Sequence, residues 1–400
     1  RMATQVHHPI WLPAVPQRGA RTFAALYAVE SFARASISSV IPIQAYDLLH
    51  NEQEVSLLYT LVAMLGLSVT LSMPFLIDRF ARRWVYTAGA SGLIVGSAFL
   101  VTQTLPGQML GMLFRVMGAS ALSITLNLYI MDYIRKKEFM QSESLRMAWS
   151  TLAWTCGPFL GVYLYTRFGI LAAHGVVALF ALILLALFWH FRLGDNELIR
   201  PGKTQPQNPL RNVRRFVGQP RLRLAWVIAF GRSCFWSTFF VYVPILMVAT
   251  GEGKLVGGMF VSAGNLLLFF ALFWGKAGRR FGARRTIAFA FMMLSLFLFA
   301  AGAAGEAHPL VTGVFLLFGA LFCIAVDALG STVYMRSVRA RERARMTSVY
   351  RTYIDLSDLT PPLVYSIVLA FTGLGGVFAT LGVFVSVCCW LTWRYVPRAM

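Results

Sequence analysis

Residues 74–83 read Pro-Phe-Leu-Ile-Asp-Arg-Phe-Ala-Arg-Arg, and residues 275–284 read Gly-Lys-Ala-Gly-Arg-Arg-Phe-Gly-Ala-Arg. Each is a short basic turn set between two apolar runs, and the two lie roughly 200 residues apart, the signature of a duplicated unit. The surrounding composition sets the medium. The chain has 400 residues, 58% of them hydrophobic and 13% charged, with a mean hydropathy of +0.65. Soluble domains carry about twice that share of charge, so the duplicated unit belongs to a polytopic membrane protein.

Apolar runs long enough to cross a hydrocarbon core of about 30 Å fall near 22–48, 55–77, 84–103, 106–133, 145–167, 170–190, 223–249, 255–275, 286–304, 308–334, 346–371 and 374–395. They predict an all-α membrane protein with about twelve transmembrane helices in two pseudo-symmetric six-helix bundles. The formal charge of +20 does not describe a nucleic-acid-binding domain, because the cations sit in alternate loops: Arg79, Arg82 and Arg83; Arg135, Lys136 and Lys137; Arg211, Arg214, Arg215, Arg221 and Arg223; Arg279, Arg280, Arg284 and Arg285; Arg336, Arg339, Arg341, Arg343 and Arg345. By the positive-inside rule these loops, and with them both termini, are cytoplasmic. The first twenty residues lack the apolar core and cleavage site of a secretory signal, so the first span is expected to direct insertion. A plasma or bacterial inner membrane is the expected location.

Phe191 to Leu222 is the longest polar stretch and holds Pro201, Pro206, Pro209 and Pro220. It divides the chain into an N-terminal segment (1–20), a first bundle (21–190), a linker (191–222) and a second bundle (223–400). The halves superpose by sequence at Gly118-Ala119 with Gly319-Ala320, and at Pro158 with Pro362. The cysteines, Cys156, Cys234, Cys323, Cys388 and Cys389, fall inside predicted helices without metal-ligand spacing and read as packing residues.

This layout resembles the major facilitator superfamily. Residues 74–83 match its G-x-L-x-D-R-x-G-R-[KR] loop at Leu76, Asp78, Arg79, Arg82 and Arg83, with Pro74 and Ala81 replacing the glycines; residues 275–284 keep both glycines and place Arg279 at the aspartate position. The resemblance implies a transporter working by alternating access. It also implies a conformational latch of Asp78, Arg79, Arg82, Arg83 and Asp132. In the fifth span, Gly157, Pro158 and Gly161 look like the G-P-x-x-G core of drug:proton antiporters in this superfamily, which implies export; as helix chemistry they are equally a kink and a close-packing surface.

Ionisable groups inside spans cost about 2.5–3.5 kcal/mol each on insertion scales, so each needs a partner, a wet cavity or a role. Glu30 and Arg34 stand one turn apart in the first span, in the order that favours an ion pair. Arg115 lies roughly 13 Å into the fourth span and Arg232 about 14 Å into the seventh. Arg232 would attract an anion or pair with an aspartate of the eleventh span, while Asp327 reads as lying toward a cytoplasmic end. Asp355 and Asp358 share a face of the eleventh span with Arg351, and Pro361-Pro362 beyond them are expected to interrupt that helix.

Glu30, Asp355 and Asp358 are therefore the candidate proton-coupling carboxylates, and Arg34, Arg115, Arg232, Trp154, Trp236 and Tyr353 the candidate substrate contacts. His174 and His308 are expected to be exposed near loop ends. No nucleotide loop, H-E-x-x-H or nucleophile elbow occurs, so neither an enzyme nor a cofactor or metal site is predicted. The expected activity is proton-coupled export of a small amphipathic or aromatic compound by a monomer. Two alternatives stand beside it: proton-linked uptake of a solute or organic anion, and a non-transporting sensor.

Overall fold

The computed structural model describes residues 20–133, 139–191, 209–338 and 343–397. Sixteen α-helices occur among them: α1 (Ala20–Ser36), α2 (Val40–Leu49), α3 (Glu52–Arg79), α4 (Arg82–Val101), α5 (Leu105–Tyr133), α6 (Phe139–Phe168), α7 (Ile170–His190), α8 (Pro209–Val217), α9 (Pro220–Ala249), α10 (Lys254–Leu266), α11 (Ala271–Phe281), α12 (Ala283–Ala304), α13 (Pro309–Ser337), α14 (Arg343–Tyr350), α15 (Thr352–Val368) and α16 (Leu374–Tyr395). Nine spans among the described residues are long and apolar enough to cross a membrane, one of them running through α10 and α11. The other three predicted spans are the broken helices α1/α2 and α14/α15, and α6, whose first turns carry the polar run Gln141-Ser142-Glu143-Ser144. In lipid a span must satisfy its own backbone, so each interruption marks a place where neighbouring helices or a wet cavity take over.

The duplicated turns cap α3 and α11, and the packing repeats with them. In the first half α4 packs on α5 and α7, and α1 on α6 and α7; in the second, α12 packs on α13 and α16, and α9 on α15 and α16. The bundles meet along two symmetry-related seams, α6 against α10 and α3 against α15. At the end away from the arginine clusters the seam is closed. There Lys254 Nζ stands 2.5 Å from Asp47 Oδ2, the Tyr165 hydroxyl donates to the same oxygen at 2.9 Å, and the Ser56 and Tyr242 hydroxyls meet at 2.7 Å.

Several expectations need correction. The linker is not all loop: α8 forms within it, because proline is well placed at a helix start and the residues after Pro209 alternate apolar and basic with helical period. Pro361 and Pro362 do not interrupt their helix, which runs through to Val368; the break in that span comes earlier, at Arg351. His174 is buried rather than exposed, with its Nε2 at 2.9 Å from Gln44 Oε1. Gln44 Nε2 also donates to the Leu100 carbonyl at 2.6 Å, so this polar pair pins α2 to α4 and α7. His308 is exposed at the start of α13, as expected.

Candidate functional site

The first helix breaks where its charges lie. α1 ends at Ser36, two residues after Arg34, and α2 resumes at Val40. The break coincides with the closest approach of α6: a β-carbon on Gly157 would come within 2.6 Å of the Ala35 β-carbon, and one on Gly161 would run into the Ser36 carbonyl. Gly157 and Gly161 therefore form the packing surface on which the end of α1 rests, while the Pro158 carbonyl lies toward α10, 3.4 Å from where a β-carbon on Gly258 would stand.

Glu30 and Arg34 pair as their spacing predicts, Arg34 Nη1 to Glu30 Oε1 at 3.3 Å. Glu30 is 1% exposed, and among the described residues its second oxygen has no hydrogen-bond partner. Sequence reasoning passed over Arg146 of α6, whose guanidinium lies over the Tyr27 ring at 4.4 Å and within electrostatic range of Glu30.

Arg34 and Arg115 share a small cavity, lined also by Ile37, Leu93, Ser97 and Val177. Among the described residues Arg115 has no ion-pair partner, and its Nε is buried without a hydrogen bond. Across the seam from α15, Asp358 interacts electrostatically with Arg115, Arg34 and Asp355. Asp358 is exposed, and the two guanidiniums it interacts with belong to the other bundle. Arg351, nearer the arginine-rich end of the same span, is exposed too. The other end of the seam is tied shut by Asp47, Lys254 and Tyr165. Asp355 interacts with Arg351 and is half-buried.

The second bundle carries a different cluster. Arg232 Nη1 stands 2.5 Å from Asp327 Oδ1, Arg232 Nη2 donates to the Tyr353 hydroxyl at 3.2 Å, and Trp236 Nε1 donates to Asp327 Oδ2 at 2.8 Å. The partner of Arg232 is therefore Asp327 of α13, not an aspartate of the eleventh span. Asp327 was expected near a cytoplasmic end; α13 extends to Ser337, three residues past the predicted span, and leaves Asp327 well inside the helix. The aromatic candidates separate by role. Trp154 meets Phe240 across the seam with ring centroids 5.4 Å apart, and Trp236 lies 5.8 Å from the same Phe240. Tyr242 and Tyr350 are packing residues, Tyr242 edge-on to Tyr365 and Tyr350 stacked on Tyr334 at 4.0 Å. Trp149 of α6 is exposed.

The structure thus brings together Arg34, Arg115 and Asp358, and separately Arg232, Trp236 and Tyr353. Of the proposed latch, the side chains of Asp78 and Asp132 lie outside the described residues. Arg79 is exposed at the end of α3, Arg82 opens α4, and the Arg83 guanidinium is 5.9 Å from the Trp84 ring. Among the described residues no group of three or more His, Cys, Asp or Glu side chains is placed to hold a metal ion.

The sequence profile of the Major Facilitator Superfamily matches residues 23–360, and the chain belongs to that superfamily. Membership sets it among transport proteins rather than enzymes. No curated protein matches it in sequence. Solved structures share its fold at low identity. A POT family transporter in complex with 5-aminolevulinic acid superposes with a TM-score of 0.74 at 13% identity, covering 93% of this chain and 95% of that one. A peptide transporter POT in complex with sulfate gives 0.72 at 15% identity, covering 96% and 97%. The nucleoside transporter NupG gives 0.69 at 12% identity, covering 94% and 99%.

Proposed function

We propose that this member of the Major Facilitator Superfamily is a proton-coupled secondary transporter of a small amphipathic solute that carries a negative charge. The observation that supports this is that Asp358, exposed on α15, lies within electrostatic range of Arg34 and Arg115 of the other bundle, which share a small cavity. Arg34 is already paired with Glu30, whereas Arg115 has no ion pair among the described residues and only the more distant charge of Asp358 to balance it, so an anionic group of the solute would find its guanidinium available. Trp154, Trp236 and Phe240 offer flat apolar surface for the rest of the solute.

The sign of coupling follows from electrostatics. Protonating Asp358 removes a negative charge beside two guanidiniums and so strengthens their hold on an anion; proton and anion then bind cooperatively, which is symport. The resting clusters suggest how the cycle alternates. With the Asp47–Lys254 pair closed and the arginine-rich end open, the protein would release solute inward. Opening the pair would admit solute and proton together.

Export of an aromatic or cationic compound is the second reading, supported by the Gly157-Pro158-x-x-Gly161 resemblance. There proton and substrate would compete for Asp358, giving antiport. The two readings differ in sign. In proteoliposomes loaded at one pH and diluted into another, symport accumulates an aromatic carboxylate on the alkaline side, whereas antiport moves an aromatic cation toward the acidic side. Asp358→Asn should abolish the gradient dependence while leaving counterflow exchange. Gradient-driven transport that survives unchanged in Asp358→Asn would overturn the assignment.

A further inference from the structure

α8 sits in the stretch read from the sequence as the linker between the bundles. Laid out at 100° per residue, Pro209, Leu210, Val213, Phe216 and Val217 fall within an arc of about 120°, with Arg214 and Arg215 outside it. Among the described side chains of that arc, the tertiary structure covers one and leaves two open. Phe216 is 3% exposed, while its neighbours on the arc, Val213 and Val217, are 43% and 50% exposed.

The position of α8 relative to the membrane is set by the chain. Gly218 and Gln219 alone separate Val217 from Pro220, the first residue of the membrane-crossing α9. The joint is tight, with Gly218 N donating to the Arg214 carbonyl and Gln219 N to the Phe216 carbonyl, both at 3.0 Å. A helix so tethered lies at the membrane surface, at the arginine-rich end. Exposed cations surround its free edge: Arg214 and Arg215 on α8, Arg221 and Arg223 in the first turn of α9. Such a cluster of arginines, at the first turn of a span and on the helix just before it, beside an uncovered apolar edge, matches the chemistry that holds a helix to a negatively charged lipid surface.

We propose that α8 with the first turn of α9 is a docking surface for anionic phospholipid headgroups. Arg214, Arg221 and Arg223 contact the phosphates, and the Val213–Val217 edge enters the acyl boundary. α8 also packs on α14, so a lipid-held α8 braces the arginine-rich end of the span that carries Asp355 and Asp358.

The test uses the full chain with Cys156→Ser, which removes the exposed native thiol, and Val217→Cys labelled with a fluorophore. The protein is reconstituted into phosphatidylcholine vesicles or vesicles with about 30% phosphatidylglycerol. In the anionic vesicles a shallow lipid-borne nitroxide should quench the label at least about threefold more than in phosphatidylcholine, and aqueous iodide should lose access. Arg214→Gln with Arg221→Gln and Arg223→Gln should return quenching to the phosphatidylcholine level. Because that triple variant also alters the helix, a salt titration of the chain with its arginines intact serves as the second measure. Raising salt from about 0.1 to 0.5 M shortens the screening length and should give the same loss. Lipid quenching that is equal in the two vesicles overturns headgroup recognition. A label open to iodide in both places water or a protein partner at this edge, and overturns lipid docking altogether.

Discussion

Gly161→Ala is the substitution whose consequence the structure specifies most sharply. A β-carbon there would stand 2.6 Å from the Ser36 carbonyl carbon and closer still to its oxygen, where ordinary contact begins at 3.4 Å. What it meets is backbone, which cannot rotate aside as a side chain can. The end of α1 or the middle of α6 must therefore yield by more than an ångström, and overpacking of this kind costs about 1–3 kcal/mol. Ser36 is two residues from Arg34, so the displacement passes directly to the guanidinium that shares the cavity with Arg115. Misplacement of a binding group by about 1 Å can cost on the order of 100-fold in rate. We expect Gly161→Ala to lower the melting temperature of the purified protein and to reduce initial transport in proteoliposomes by about tenfold or more. Gly175→Ala on α7 is the matched control, since nothing lies within 4 Å of its added carbon; it should be neutral or slightly stabilising, as alanine is the better helix former. A Gly161→Ala protein that melts and transports like the parent would refute the close packing of α1 on α6.

Asp327→Asn should destabilise the fold by about 3 kcal/mol, because it strands the largely buried Arg232 without its carboxylate. The double variant Arg232→Gln/Asp327→Asn should recover part of that loss in thermal melts, and a double variant no better than the single would argue against the pair. Lys254→Gln releases the clasp on Asp47. Both side chains are close to a third exposed, so the gain in opening is worth at most about 1 kcal/mol, read as an up to roughly fivefold faster modification of Ser56→Cys; an unchanged rate would remove the clasp from the gate. Tyr86→Phe deletes a buried hydroxyl that has no hydrogen-bond partner among the described residues, and should leave stability unchanged or raise it. A loss above about 1 kcal/mol would mean the hydroxyl has a partner in the membrane.

The sequence alone determined the architecture, because lipid imposes a rule that can be counted: a span needs about twenty apolar residues. The duplicated turns at 74–83 and 275–284 were legible for the same reason, as was the Glu30–Arg34 pair, whose partners are one helical turn apart on a single helix. What only the tertiary structure decided was partnership between helices. Arg232 found Asp327, 95 residues away; Asp47 found Lys254, 207 residues away; Asp358 came to face Arg115 from the other bundle. Helical periodicity says which face a residue is on, not which helix that face will meet. The same limit hid α8 in a proline-rich linker and took His174 for a surface residue, since an isolated polar side chain reads as exposed until the chain supplies the glutamine that lets it be buried.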